Sequence, residues 1–354
     1  MKEASLRILC AVILGSVALC CSKESSTTEA TQQPEAANST KKQDKLAQAL
    51  ASAIEPSKAG KVPSNTSDSA PPADGVLEPS KADAIAPAHS APKVSLGSPG
   101  TEPRLKLAHR PFAAPVRSQL QIAVDVGNGQ GLPPVDFKLE IRPAGGVAAD
   151  TQIQNVTVRV LSADISVPNV PEEFKAQLRQ LKGSKFSLKI AGSGGGFDCT
   201  QDASSNKNEG LGQLLEMVGQ GILDAAVAMP NEGVGNGAYW MATSRQRMFG
   251  MDWITYDMVK VVELTTTDAK LEISTRRYAV GRELAAPAQA ELTAKLTIRE
   301  AMATGSAQAT ASISGNLLSS YERSNSVRIL MDGADDRGQR VLQAGGQAKF
   351  GIAR

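Results

Sequence analysis

Histidine, the side chain best suited to proton transfer at neutral pH, occurs only twice in this sequence of 354 residues. His89 lies in a segment rich in Ala, Ser and Pro, and His109 lies in the stretch KLAHRPF. A serine hydrolase triad would have to use His109, and the motifs GxSxG, GxxxxGK[ST] and HExxH are absent from the sequence. The sequence therefore predicts no catalytic residues, and we expect a protein that is not an enzyme.

Carboxylates, cysteines and glycine-rich loops are the other residues that could carry chemistry. The acidic residues fall mainly on the polar faces of predicted strands, which favours a solvated surface; they include Asp125, Asp136, Glu140, Asp252 and Asp257. The loop GVGNG at 233–237 follows a predicted helix and precedes a predicted strand, the reverse of the order in a dinucleotide-binding loop. The four cysteines form no CxxC pair. We expect no cofactor and no metal.

Charge excludes one further class of partner. The chain has 38 basic and 36 acidic residues, and the two signs are interspersed. This distribution has none of the basic clustering that nucleic-acid binding needs. We interpret Arg276, Arg277 and the scattered arginines near the C-terminus as solubilising.

The pattern of charged and apolar residues at the N-terminus is typical of a targeting segment. Lys2 and Arg7 precede an almost unbroken apolar run from Ile8 to Cys21. This run is shorter than the roughly 20 residues needed to cross a bilayer, and it suits the apolar region of a secretory signal.

The end of this run, ALCCSKESS, resembles a bacterial lipoprotein signal, in which the cysteine at the cleavage site receives a lipid. The resemblance implies a lipid on Cys21, preceded by the small residue Cys20, and a signal peptide spanning 1–21. The alternatives are a lipid on Cys20, or an ordinary secretory signal. Ser22, rather than an aspartate, favours sorting to the outer membrane under the bacterial rule that the resemblance implies.

Composition divides the rest of the chain in two. All 13 aromatic residues lie between Phe112 and Phe350, and ten of the 19 prolines lie between Ser22 and Pro103. A segment of this kind buries too little apolar surface to offset the entropy of ordering. We therefore predict a disordered tether over 22–103 and a single β-rich domain over 104–354.

Alternation of apolar and polar residues dominates this domain. In VDFKLEIR, for example, Val135, Phe137, Leu139 and Ile141 fall on one face. Such alternation predicts antiparallel strands with one face on the core. The expected fold is mainly β, a β-rich α+β arrangement: a large curved antiparallel sheet or unclosed barrel of roughly ten strands, with two helices packed on it.

The two predicted helices differ in character. PEEFKAQLRQLKG, at 171–183, has an apolar stripe and ends at Gly183. The stretch at 210–230 is longer, apolar and rich in glycine. Residues of its apolar face could form a mobile lid over a ligand groove: Leu211, Leu214, Leu215, Val218 and Ile222. Close packing of the glycines on the sheet is the alternative interpretation.

A turn and hairpin follow the second helix in AMPNEGVGNGAYWMATSRQ. Pro230, Gly233, Gly235, Gly237 and Trp240 resemble a recurrent segment of uncharacterised bacterial envelope lipoproteins, a domain-of-unknown-function family, in which a proline and Val-Gly-x-Gly lead into a strand carrying a Trp. The resemblance implies an envelope location and carries no activity. The alternate glycines also permit a tight reversal from helix to strand.

Two functions fit these features. The first is a non-enzymatic binding or scaffolding module, anchored to the membrane by its lipid and binding an unknown envelope protein. The alternative is a carrier or chaperone for a hydrophobic acyl or lipid ligand held in the concave face of an unclosed barrel. A carrier needs an unfilled apolar cavity, whereas an interaction module has a filled core.

Overall fold

The computed structural model describes residues 72–127, 130–147, 152–165, 167–168, 170–202, 209–248, 250–284, 296–313, 315, 318–335 and 338–353. The predicted signal peptide, both candidate anchor cysteines and the predicted tether up to residue 71 lie outside these residues.

The described residues form fourteen strands and three helices. The strands are β1 (Val76–Leu77), β2 (Lys93–Ser98), β3 (Val116–Gly127), β4 (Gln130–Val147), β5 (Gln154–Ile165), β6 (Lys185–Ile190), β7 (Gly196–Gln201), β8 (Tyr239–Met248), β9 (Met251–Leu264), β10 (Asp268–Val280), β11 (Glu283–Leu284), β12 (Leu296–Ser312), β13 (Leu318–Asp335) and β14 (Gly338–Ala353). The helices are α1 (Pro79–Ile85), α2 (Glu172–Arg179) and α3 (Glu209–Ala225).

All strands belong to one sheet, in the order β2–β8–β9–β10–β12–β13–β14–β3–β4–β5–β6–β7, with β1 beside β10 and β11 beside β12. Neighbouring strands along this path run antiparallel, and β1 is parallel to β10. Because β2 and β7 end the order without pairing, the sheet is not closed. The predicted fold class is confirmed.

The period-two pattern places the core as expected. Along β5, Val156, Val158 and Val160 are buried, whereas Asn155 just before them and Arg159 between the last two are exposed. Successive side chains of a strand point to opposite faces, so one face of the sheet carries the core.

The sheet curves around α3. This helix packs against β8 and β7, which lie near opposite ends of the strand order, and also against β3 and β14 in the middle. A sheet can contact one helix from its middle and from both ends only if it bends around that helix. The main apolar core therefore lies between α3 and the concave face.

A second apolar cluster lies on the same face, further along the strands. It includes Trp253 on β9, Ala279 on β10 and Met331 on β13. These positions have the same parity along their strands as the core residues Val259, Ile273 and Tyr321. Between the two clusters, the inward positions of the same strands are polar.

The short helix α1 covers part of the outer face. Ala82 and Ala86 pack there with Leu77, Ile254 and Tyr278, side chains that alternation points away from the main core. Pro79 occupies the first turn of α1, where its missing N–H costs no hydrogen bond.

The predicted start of the domain at residue 104 is too late. Residues 76–98 supply β1, α1 and β2, and β2 is hydrogen-bonded to β8. Two strands of two and six residues, without aromatic side chains, gave too short an apolar pattern to stand out from the proline-rich sequence around them. Further along the chain, β12 runs without interruption from Leu296 to Ser312.

Candidate functional site

The residues predicted to form a lid lie in the main core. At most 1% of any of them is exposed: Leu211, Leu214, Leu215, Val218 and Ile222. Two glycines bring α3 into direct contact with the sheet. A Cβ on Gly219 would lie 3.0 Å from Sγ of Cys199, and a Cβ on Gly221 would lie 2.9 Å from Cδ1 of Phe350. The helix therefore packs tightly against strands on two sides.

The segment after α3 closes the gap between the two ends of the sheet. The main-chain oxygen of Ala226 accepts a hydrogen bond from Gly196 on β7, at 2.9 Å. Nε1 of the fully buried Trp240 on β8 donates to the main-chain oxygen of Ala228, also at 2.9 Å. One extended segment thus contacts strands from both ends of the order.

The predicted turn residues lie in this connection and have different roles. Pro230 is buried and follows the extended segment. Gly237 has a φ of 77°, the conformation that favours glycine. Gly235 is required by close approach, since a Cβ there would lie 1.6 Å from the main-chain oxygen of Thr101. Gly233 has neither a positive φ nor such a close contact.

A small cavity lies at the C-terminal end of α3. It is lined by residues that include Leu107, His109, Gly194, Val227, Ala311 and Leu318, and its volume is about 30 Å³. A site of this size holds one or two water molecules. Drug-sized and lipid-sized ligands need about 300 Å³ or more.

The most unusual feature of the interior is the polar layer between the two apolar clusters, which we call the polar belt. It consists of Thr255 and Asp257 on β9, Thr275 and Arg277 on β10, and Arg323 and Asn325 on β13. Strand register aligns these residues across the sheet, because Thr255 lies opposite Arg277, and Asp257 opposite Thr275. Asp224 and Gln220 on α3 complete the belt.

Asp224 is the centre of the belt. Its carboxylate lies 2.9 Å from Nη2 of Arg277 and 3.4 Å from Nη1 of Arg323, and all three side chains are 1% exposed. Nε2 of Gln220 and Nδ2 of Asn325 also donate to it, at 2.7 and 3.2 Å. Burial alone would raise the pKa of Asp224, but the charges of Arg323 and Arg277 and these hydrogen bonds hold it below its usual range.

Arg323 is held by partners on three strands. Its Nε donates to Oδ1 of Asn325 at 2.8 Å, and its Nη1 donates to the hydroxyl of Tyr321 at 3.0 Å. Its Nη2 contacts the hydroxyl of Thr275 and lies 3.2 Å from Oδ1 of Asp257. Burial lowers the pKa of Arg323, yet the nearby carboxylates and Tyr321 raise it overall, so this arginine stays charged.

Gly305 on β12 provides room for this arrangement. It lies opposite Thr275 on one side and Asn325 on the other. A Cβ at this position would lie 2.3 Å from Oδ1 of Asn325 and 3.4 Å from Nε of Arg323. Any larger residue would displace the side chains that bind Arg323.

The belt balances its own charges and holds α3 against the sheet. Asp224 and Asp257 offset Arg277 and Arg323, and the lowered pKa of Asp224 makes its carboxyl a poor proton donor at neutral pH. The belt connects α3 to β9, β10 and β13 through hydrogen bonds. These hydrogen bonds therefore hold the C-terminal end of α3 in the concave face of the sheet.

This cluster is not predicted from the sequence, and the interpretation of Arg277 as solubilising is wrong. Arg276 points outward, with its guanidinium 5.8 Å from the ring centroid of Tyr278, whereas Arg277 is only 2% exposed. Asp257 also faces inward and is not part of a solvated polar face. The signal was present in the alternation of KLEISTRRYAV, where Thr275 and Arg277 continue the inward series of Leu271 and Ile273.

The remaining candidates for chemistry lie apart from the belt. His89 is largely exposed and contacts Asp198 on β7. Cys199 is partly buried beside α3, and burial, with the nearby Glu216 and Asp198, raises the pKa of its thiol to about 12. A thiol with this pKa is protonated and unreactive at neutral pH.

Within the described part of the chain, no three His, Cys, Asp or Glu side chains are grouped as metal ligands. Nor does any helix in that part have the length and apolar character to cross a membrane. Comparison of the chain with protein families, with curated proteins and with solved structures gives no match.

Proposed function

We propose that the protein is a non-enzymatic binding or scaffolding module of a bacterial cell envelope, anchored to the membrane by a lipid on Cys21. The observation that carries this proposal is the position of α3, whose apolar face fills the concave side of the sheet. A ligand held there would need the space that α3 occupies. Partners would therefore bind the outer face or the edges of the sheet.

The proposed anchor is supported by the N-terminal sequence. A short apolar run ends at Cys20 and Cys21 and continues directly into polar residues. Because β1 begins at Val76, a tether between the anchor and the folded domain would end before that residue. The outer membrane, indicated by Ser22, remains the expected location.

A carrier of hydrophobic ligands remains the alternative function, because the sheet is curved and not closed. In that case α3 would have to leave the concave face, exposing Leu214, Leu215 and Val218 together with the strand residues beneath them. The buried charges around Asp224 oppose this movement, because separating them would leave unpaired charges in an apolar interior.

The two functions are separated by the mass of the purified protein. The chain from residue 22 onward, secreted without its anchor and purified without detergent, is measured in native and in denaturing mass spectrometry. We expect the same mass in both, before and after incubation with phospholipid vesicles. An added mass of acyl-lipid size that is lost on denaturation would support the carrier instead.

The anchor is tested in the full chain by metabolic labelling with an alkyne analogue of palmitate. We expect labelling of the wild type and of Cys20→Ala, and loss of labelling in Cys21→Ala. Loss of labelling in Cys20→Ala alone would place the lipid on Cys20. If neither the wild type nor either variant is labelled, the chain carries no lipid anchor and this part of the proposal fails.

A further inference from the structure

The polar belt contains buried atoms that need partners outside the described residues. Among those residues, none bonds to Nε or Nη1 of Arg277, to Oγ1 of Thr255 or to Oε1 of Gln220. The three side chains are buried, with Arg277 2%, Thr255 0% and Gln220 4% exposed. A buried polar group without a hydrogen bond costs about 1–3 kcal/mol, so four such atoms in one place require an explanation.

These atoms are close to one another. Thr255 and Arg277 are directly opposite on the adjacent strands β9 and β10. Gln220 and Arg277 both donate to Oδ1 of Asp224, at 2.7 and 2.9 Å. The unpartnered atoms therefore belong to side chains that meet beside Asp224, between α3 and the two strands.

The chemistry of the four atoms defines what can bind there. The two nitrogens of Arg277 need acceptors, Oε1 of Gln220 needs a donor, and the hydroxyl of Thr255 can be either. A halide or sulfate ion would supply acceptors but no donor. It would also add a charge to a belt in which Asp224 and Asp257 already balance Arg277 and Arg323.

We infer that the belt holds one or more ordered water molecules, which bind Arg277, Thr255 and Gln220 as an integral part of the fold. A water molecule is neutral, donates and accepts, and is stable in a buried site when it has two to four polar partners. Asp257, whose side chain is 16% exposed, links the belt to solvent and gives such water a route of exchange. This inference is independent of the proposed function.

The direct test is a crystal structure of the full chain grown in sodium bromide, with anomalous data at the bromine edge. We expect density within hydrogen-bonding distance of Nε or Nη1 of Arg277, without anomalous signal. An anomalous peak there would show that an anion occupies the site and would overturn the inference. A dry site at a resolution that shows other buried water would overturn it equally.

A test in solution uses oxygen-17 magnetic relaxation dispersion, which counts long-lived internal water, on the full chain. Thr255→Val keeps the shape of the side chain and removes one partner of the water, so the dispersion amplitude and the melting temperature should both fall. Thr255→Ser, which keeps the hydroxyl, should retain the amplitude. If Thr255→Val instead leaves the amplitude unchanged or raises the melting temperature, the hydroxyl of Thr255 binds no internal water molecule, and the inference that water binds Arg277, Thr255 and Gln220 together is overturned.

Discussion

Asp224 occupies a position that is unfavourable for a carboxylate in two respects. It is almost fully buried, and it lies in the last turn of α3, where the helix dipole disfavours negative charge. Arg277 and Arg323 compensate both effects. A buried ion pair of this kind adds little stability relative to apolar residues of the same shape, but removing one partner leaves a buried charge unpaired.

The exchange of Arg277 for methionine should therefore be strongly destabilising. We expect Arg277→Met to lower the free energy of unfolding by about 3–5 kcal/mol, because Asp224 loses its closest cation. The matched control is the preceding residue, since Arg276 faces outward. Arg276→Met should cost less than about 1 kcal/mol, the value of an exposed cation–π contact. Urea unfolding of both variants measures the difference, and equal losses would contradict the assigned burial.

The same carboxylate predicts a dependence of stability on pH. Because the folded state lowers the pKa of Asp224, its contribution is complete above the unfolded value near 4 and is lost as the pH falls through the folded value. Stability should therefore decline below about pH 4. Urea unfolding at pH 7, 5 and 3 tests this, with the double variant D224N/R277M as control. A decline of the same size in the double variant would assign it to other carboxylates.

Among the elements, α3 shows best where prediction from sequence succeeded and where it stopped. Spacing of its leucines predicted a helix with one apolar face, and that face is buried as amphipathicity requires. Spacing alone did not distinguish a lid from a core helix, because both have the same apolar stripe. The contact of Gly221 with Phe350 on β14, a strand far away in sequence, makes that distinction.

The substitution Gly221→Ala separates the two interpretations, because it should raise the free energy of unfolding for a loosely held helix and lower it for a packed one. Alanine in place of glycine stabilises a free helix by about 1 kcal/mol. In the packed position the new methyl group would meet Phe350 and Leu120, and overpacking of a core costs about 1–3 kcal/mol. We expect Gly221→Ala to lower the free energy of unfolding. A variant more stable than the wild type would indicate a helix held loosely on the sheet.

Gly351 offers the control for this experiment. It lies on β14, next to Phe350, and the nearest atom to an added Cβ would be 3.9 Å away. Gly351→Ala should therefore change the free energy of unfolding by no more than about 0.5 kcal/mol.

The belt was beyond prediction for a related reason. Its residues come from β9, β10, β13 and α3, and hydrogen-bonded partners lie up to 101 positions apart in the chain, as Asp224 and Asn325 do. Alternation correctly predicted antiparallel strands, and it assigns Arg277 to the inward series. It does not show that a carboxylate from a helix will meet that arginine.

For the whole molecule, the strongest correction concerns where the folded part begins. Val76 and Leu77 are buried, and burial of two such side chains contributes about 3–6 kcal/mol. A chain starting at residue 100 also lacks α1 and β2, so it should melt at least roughly 10 °C below a chain starting at residue 72. Differential scanning calorimetry of the two chains tests this. Equal melting temperatures would place residues 72–99 outside the cooperative unit.

The position of β14 has a consequence for biogenesis. Residues 338–353 pair with β13 on one side and with β3 on the other, so they join the strands from β2 to β13 to those from β3 to β7. Until β14 has been synthesised, the nascent chain can form only two partial sheets, whose open edges at β13 and β3 are prone to aggregation. Completion of the sheet must therefore wait for this segment, and until it emerges both edges stay open to pairing with other strands.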